Sequence, residues 1–232
     1  MQTAYDLHSH SLVSDGSLSP HDLVQRAAGA GVRVLALTDH DDTAGVAEAR
    51  AAGRACGVAL VPGVEVSVSW RGTTLHVVGL GVDPEAPELV AGLEGIRAVR
   101  DWRAEEIDRR LQKAGIAGAL DGARRYVRGR ILSRTHFAQF LVEAGHVADH
   151  KEAFKRHLRR GRPGFVPGRW AELAAAVGWI RAAGGQAVLA HPARYGLTAT
   201  KLRELLAEFT AAGGEALEVV SGSHSRDDTF RM

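Results

Sequence analysis

The chain has 232 residues, 45% of them apolar and 24% charged, with 29 Lys and Arg against 27 Asp and Glu. These totals fit a globular protein of one α/β domain with a modest insertion, and exclude a disordered, fibrous or disulfide-scaffolded chain. A single cysteine, Cys56, no apolar run long enough to span a bilayer and no leader-like N-terminus make a cytoplasmic setting the expectation.

The first predicted element is a short strand in YDLHSH, followed by the loop SLVSDG. Alternate residues of a strand share a face, so His8 and His10 project together, with Asp15 one loop turn away. Two imidazoles and a carboxylate suit zinc, manganese or iron, although an H-x-H triplet alone is a weak motif. Next comes a helix from Pro20, with Ser19 as its cap and Gly29 and Gly31 closing it. VRVLALTDH reads as a buried parallel strand, DDTAGVAEARAAGRACGV as a helix and VALVPGVEV as a further buried strand. SVSWRGTTLHVVGLG departs from this rhythm as a hairpin turning at Arg71-Gly72.

Residues 85–168 read as a helical insertion between the two parts of a discontinuous core, 1–84 and 169–232. The insertion contains a long charged helix around IRAVRDWRAEEIDRRLQKAG and two more in SRTHFAQFLVEAG and KEAFKRHLRRG. After RPGFVPGRW the alternation resumes with the helix AELAAAVGWIRAAGG, the strand QAVLAHP, the helix LRELLAEFTAAGG and a strand in EALEVVSGS. The charge is uneven: between Arg124 and Arg169 stand twelve Lys and Arg against three acids, leaving seventeen basic against twenty-four acidic residues elsewhere. An acidic core beside a basic segment suits a metal centre next to an anion-binding surface, a solvated Arg-rich helix face being the alternative.

Polar residues recur where the apolar runs stop: His8 and His10, His40, Glu65 and His191 at strand ends, and His76 in the hairpin's return strand. Carboxyl ends of parallel strands are where barrels and open sheets build their sites. Asp39 reads as an acceptor that orients a neighbouring imidazole, or as a helix N-terminal acid. In the insertion, Arg134 and His136 open a helix whose N-terminus favours an anion, with Arg130 in the same loop and Arg194, after His191-Pro192, as further phosphate contacts.

HSHSLVSDGSLSP, LALTDHDD, VPGVEVS, HVVGL and AVLAHPARY, taken in order, resemble the motifs of the PHP (polymerase and histidinol phosphatase) family of metallophosphoesterases. GALDGARR, SRTHFAQFLVEAG and GFVP narrow the likeness to the subgroup of 3′,5′-nucleoside bisphosphate phosphatases and 5′→3′ exoribonucleases such as RNase AM. The resemblance implies a distorted (β/α)7 TIM-like barrel and an enzyme that hydrolyses phosphoric esters of nucleotides or RNA 5′ ends with a metal-activated hydroxide. It implies His8, His10, Asp15, His40, Glu65, His76 and His191 as ligands of up to three divalent ions, manganese ahead of iron or zinc, with Glu65 bridging two of them. Glu65, Asp39, Arg134 and His136 are then the expected catalytic group, and Arg130, Arg134, His136 and Arg194 the substrate contacts. The family's late G-S-D-F-H motif is absent from this chain, so an incomplete barrel lacking two ligands is expected. A histidinol-phosphate-type phosphatase and a catalytically impaired metal-binding module are the competing readings; no DNA-binding motif accompanies the basic segment.

Overall fold

The computed structural model describes residues 4–222 and 224–232, and its centre is a curled mixed sheet. The elements are β1 (Ala4–Ser9), α1 (Pro20–Gly29), β2 (Val32–Leu37), α2 (Val46–Cys56), β3 (Ala59–Trp70), β4 (Thr73–Leu80), α3 (Pro87–Lys113), α4 (Ala119–Arg124), α5 (Arg134–Glu143), α6 (His150–Ala153), β5 (Ala171–Glu172), α7 (Leu173–Ala182), β6 (Gln186–Leu189), α8 (Ala199–Ala211), β7 (Ala216–Leu217) and α9 (Arg226–Arg231). The sheet order is β1-β2-β3-β4-β6-β7, with β5 beside β3, which is the open, barrel-like α/β architecture expected.

β3 carries the main departure from simple alternation. Its first four residues, Ala59–Pro62, pair in parallel with β2, whereas Gly63–Trp70 pair antiparallel with β4. Pro62 has no N–H to donate and sits where the partner changes, while its carbonyl accepts from Gly81 N at 2.8 Å. Gly63 is needed at this crossing, since a Cβ there would lie 2.8 Å from Thr38 Cγ2 and 2.9 Å from the Gly79 carbonyl. The sequence suggested two elements here, a buried strand and then a hairpin; the structure makes them one strand that changes its main partner from β2 to β4, with β5 beside its far end. Arg71 (φ 45°) and Gly72 (φ 78°) form the hairpin turn that places Glu65 and His76 on neighbouring strands.

Separate apolar clusters hold the chain. One packs β3, β4 and β6 against α7, α8 and the first half of α3, through Leu89, Leu93 and Ile96. A second lies within residues 104–166 and begins on the same helix at Ala104, taking in Ile107, Leu111, Phe137, Leu141 and Leu158. At 27 residues α3 is about 40 Å long. It ties the two clusters together, so the barrel packing runs about a dozen residues past Glu85. The strand expected in EALEVVSGS shortens to Ala216–Leu217, which among the described residues pairs with β6 alone.

Candidate metal centre

The site lies inside the curl of the sheet, between the ends of β1, β2 and β6 and the middle of β3 and β4. On β1, Ser9 turns away and donates to the Ala36 carbonyl at 2.6 Å, which leaves His8 and His10 on the opposite face. The loop that follows is tied down by Asp39. Its buried carboxylate accepts from Ser11 N (2.7 Å), Ser11 Oγ (2.7 Å) and Ser14 Oγ (2.6 Å). Gly16 closes the loop against the chain, as a Cβ there would sit 2.3 Å from the His10 carbonyl. The result brings Asp15 to His10 and His40, within 4.8 Å of each other. Asp39 therefore does not orient an imidazole, as the sequence suggested; two serines of the loop satisfy it instead.

His40 follows β2 in a parallel bridge to Glu65, with Glu65 N donating to the Asp39 carbonyl and Asp41 N to the Glu65 carbonyl. Glu65 is 1% exposed, and five imidazoles surround its carboxylate. Oε2 lies 3.2 Å from His8 Nε2, 3.2 Å from His10 Nε2 and 3.0 Å from His40 Nδ1, while Oε1 lies 2.9 Å from both His76 Nδ1 and His191 Nε2. His191 reaches its place from a strained backbone (φ 29°), held by its N–H donating to Glu218 Oε2 at 2.6 Å. Glu218 Oε1 meets His8 Nδ1 at 2.6 Å, so this acid joins the ends of β1 and β6. Sequence reading passed over Glu218, although it too stands directly after a strand.

One carboxylate cannot satisfy five imidazoles. Buried Nδ1 atoms of His10, His40, His76 and His191 have no hydrogen-bond partner, and those of His40 and His76 approach Glu65 without hydrogen-bond directionality. His8 Nε2 and His10 Nε2 stand 3.1 Å apart. The unpaired Nδ1 atoms of His40 and His76 and the Nε2 atoms of His8, His10 and His191 converge on Glu65, and imidazole nitrogens gathered beside carboxylates are what divalent cations require. Three overlapping groups could each hold an ion: His8, His10 and Glu65; His10, Asp15 and His40; His40, Glu65 and His76. Glu65 belongs to two of them, as a bridging ligand would.

Protonation divides the cluster. Burial raises the Glu65 carboxyl, but the surrounding imidazoles outweigh this and hold it well below the carboxylate range. Burial drives His40 well below its ordinary value and lowers His191, leaving both as neutral ligands. Burial also works against His8, yet its contacts with Glu218 and Glu65 push it up to about 10. His10 is raised by Glu65 in the same way.

Facing this cluster is a basic wall, with Arg100 and Arg103 of α3 and Ser133, Arg134 and Thr135 at the start of α5; all line one cavity of about 1080 Å³. Arg100 is anchored on Asp41, through Nε at 2.7 Å and Nη2, and on Ser67 Oγ at 2.9 Å. Arg103 donates Nε to the Val166 carbonyl at 2.8 Å, and both guanidiniums lie over Trp170. Arg134 lies over Phe154 and has no carboxylate partner among the described residues. Burial, then the neighbouring Arg134 and Arg100 charges, lowers Arg103 to about 9, and burial together with Arg100 lowers Arg134. Cations crowded into a half-buried wall favour an anion between them. Arg100 and Arg103 went unremarked in the sequence, where they look like any basic residues of a charged helix.

Of the other expected contacts, Arg194 lines the cavity, on a short 3-10 turn after His191. Arg130 does not; its guanidinium forks onto the buried Asp42 at 2.9 and 3.0 Å. His136 is also off the cavity wall, and its Nδ1 accepts from Ser133 N at 3.0 Å as part of the α5 cap.

The PHP domain family profile matches residues 6–211. The chain belongs to the PHP domain family. It is 51% identical to the 3′,5′-nucleoside bisphosphate phosphatase of Chromobacterium violaceum over 98% of this chain and 80% of that one. It is 44% identical to the 5′-3′ exoribonuclease Rnm of Escherichia coli, over 98% of this chain and 78% of that one. Among solved structures, an amidohydrolase from C. violaceum with bound sulfate and no metal superposes with a TM-score of 0.95 at 50% identity, covering 99% of this chain and 81% of that one. A protein from Bifidobacterium adolescentis described as a metal-dependent phosphoesterase superposes at 0.88 and 27% identity, with 99% and 81% covered. The PHP chain thus spans about four-fifths of these relatives, and no helix among its described residues is long and apolar enough to cross a membrane.

Proposed function

We propose that this PHP chain is a metal-dependent phosphoesterase that releases phosphate from nucleotides bearing 3′ and 5′ phosphates and acts on RNA from its 5′ end. The observation that carries this reading is the buried Glu65 carboxylate ringed by five imidazoles and faced by arginines. His8, His10, Asp15, His40, Glu65, His76 and His191 would hold divalent ions, manganese first among them. When bound, such ions supply positive charge to a phosphoryl group and acidify water at neutral pH.

The chain's own residues do the rest. Glu218 fixes the His8 ring through Nδ1 and the His191 backbone through its N–H, so that each presents Nε2 inward. Asp39 holds the loop that carries Asp15. Arg103, Arg134 and Arg194 take the phosphate that is not cleaved, and Arg100, fixed by Asp41, adds charge beside it. Binding one phosphate at this wall positions the other at the histidine cluster, turning an encounter into an oriented reaction. Residues 85–168 are in this reading the substrate-contacting insertion, and the single cysteine suits a cytoplasmic setting.

The likeness to a nucleoside bisphosphate phosphatase and to exoribonucleases supports the substrate class, and sulfate in the C. violaceum structure supports an oxyanion site in this fold. The test is manganese-dependent phosphate release from adenosine 3′,5′-bisphosphate, with His8→Ala as control. Release that needs the metal and vanishes in the control supports the reading. A folded, metal-loaded chain that releases none refutes it.

A further inference from the structure

The insertion carries a second basic feature that the cavity leaves unused. Between Lys151 and Arg169 there are seven Lys and Arg and a single acid, Glu152. Lys155, Arg156, Arg159, Arg160, Arg162 and Arg169 are all exposed. Arg156 is engaged by Glu152 at 3.3 Å and Arg169 lies over Trp102. Lys155, Arg159, Arg160 and Arg162 have no carboxylate partner among the described residues.

These four charges sit on a built ridge. Phe154–Leu158 form a π-turn anchored by the buried Leu158, a rare element that re-aims the chain by one residue. Arg159 N donates to the Phe154 carbonyl (3.0 Å), Arg162 N to the Arg159 carbonyl (3.0 Å), Gly164 N to the His157 carbonyl (2.8 Å) and Phe165 N to the Arg162 carbonyl (3.0 Å). The ridge starts at the cavity: Phe154, its first residue, lines the wall beneath Arg134. Four unpaired like charges within eight residues repel one another, and a polyanion relieves that repulsion. No large apolar side chain stands exposed among them to enter a bilayer. The exposed large apolar residues lie elsewhere, on β1 (Tyr5, Leu7), on α3 (Trp102), just after β7 (Val219, Val220) and on α9 (Phe230).

We propose that the ridge from Lys155 to Arg162 is a track for the phosphodiester backbone of RNA, holding nucleotides downstream of the one seated in the cavity. This rests on the phosphoesterase reading above and deepens it: the ridge separates a polynucleotide substrate from a mononucleotide, which is too short to reach it. Contacts of this kind are read by salt, with a slope of about 0.7 per phosphate contact on single strands.

The test uses a quadruple variant, Lys155→Gln, Arg159→Gln, Arg160→Gln and Arg162→Gln, with Arg160→Gln alone as the milder form and circular dichroism as the fold check. kcat/KM is measured from about 50 to about 200 mM salt on a short 5′-phosphorylated oligoribonucleotide and on adenosine 3′,5′-bisphosphate. Four lost contacts flatten the RNA log–log slope by about 2.8, so the wild-type advantage at the lower salt shrinks about 50-fold by the higher. The single variant flattens it by about 0.7, and the bisphosphate shows no change in either. An RNA slope unaltered in the quadruple variant, or an equal fall on both substrates, overturns the track. If the wild type hydrolyses neither substrate, the phosphoesterase reading fails by itself, and fluorescence anisotropy with a 3′-labelled oligoribonucleotide decides the ridge. Salt-dependent binding that the quadruple variant loses upholds the track, and binding that it keeps overturns it.

Discussion

Asp41→Asn removes one charge from a fully buried ion pair and keeps its shape. The Asp41 carboxylate accepts from Ser67 N (2.6 Å), Ser67 Oγ (2.8 Å) and Arg100 Nε (2.7 Å) and Nη2, with Asp41 at 0% and Arg100 at 7% exposure. Asp41 has φ 52°, a conformation that asparagine also tolerates, so backbone strain does not enter the comparison. The amide leaves the guanidinium buried without a counter-charge, which costs about 3–5 kcal/mol when one partner of such a pair is lost. Because Ser67 Oγ still accepts from Arg100, the lower end applies, about 3 kcal/mol. In a chain of this size that lowers Tm by about 6–12 °C. Urea and thermal unfolding of the EDTA-treated protein measure it, alongside Asp41→Asn with Arg100→Met. Removing both charges returns most of the loss, since an apolar replacement leaves no buried ion. A loss below about 1 kcal/mol, or a double variant less stable than the single, refutes the account.

Three further outcomes are expected. Glu65→Gln lowers the metal content measured by elemental analysis and cuts phosphate release by about 10²–10³-fold; full metal occupancy in this variant would remove Glu65 as a bridging ligand. Arg134→Ala raises KM for adenosine 3′,5′-bisphosphate by about 10–100-fold, the worth of a charge-assisted phosphate contact, and an unchanged KM in steady-state assays takes Arg134 out of the substrate wall. Manganese affinity tightens as pH rises from 6 towards 9, by up to about tenfold per unit for each proton displaced, because His8 is held up to about 10 and must lose its proton to become a ligand. The same raised value stabilises the metal-free fold fully below the unfolded value of 6.5 and is lost as pH climbs through about 10, so the apo Tm falls across that window; calorimetry that finds both quantities flat contradicts the role given to His8.

Much of this molecule was legible before its coordinates. Period-two alternation in YDLHSH, the near-continuous apolar run of VRVLAL and the Arg71-Gly72 turn are local signals, and each became the expected strand or hairpin. His10, His40 and His191 stand just past strand ends, as the apolar runs suggested, whereas Glu65 lies inside β3 (Ala59–Trp70) and His76 inside β4, so the strand-end reading did not place those two. The late segment misled, because β7 depends on neighbours rather than on its own composition.

By itself the sequence determined the order of the main strands and helices and the basic character of the middle segment, properties of residues near one another in the chain. Only the tertiary structure decided which charges face which. Glu218 reaches His8 across 210 positions, Arg130 is taken by Asp42 across 88, and Asp39 is taken by Ser11 across 28. Arg100 and Arg103 enter the cavity because α3 runs from one apolar cluster to the next. Partners of that kind are chosen by packing, since a buried charge must find its counter-charge wherever the folded chain brings one close.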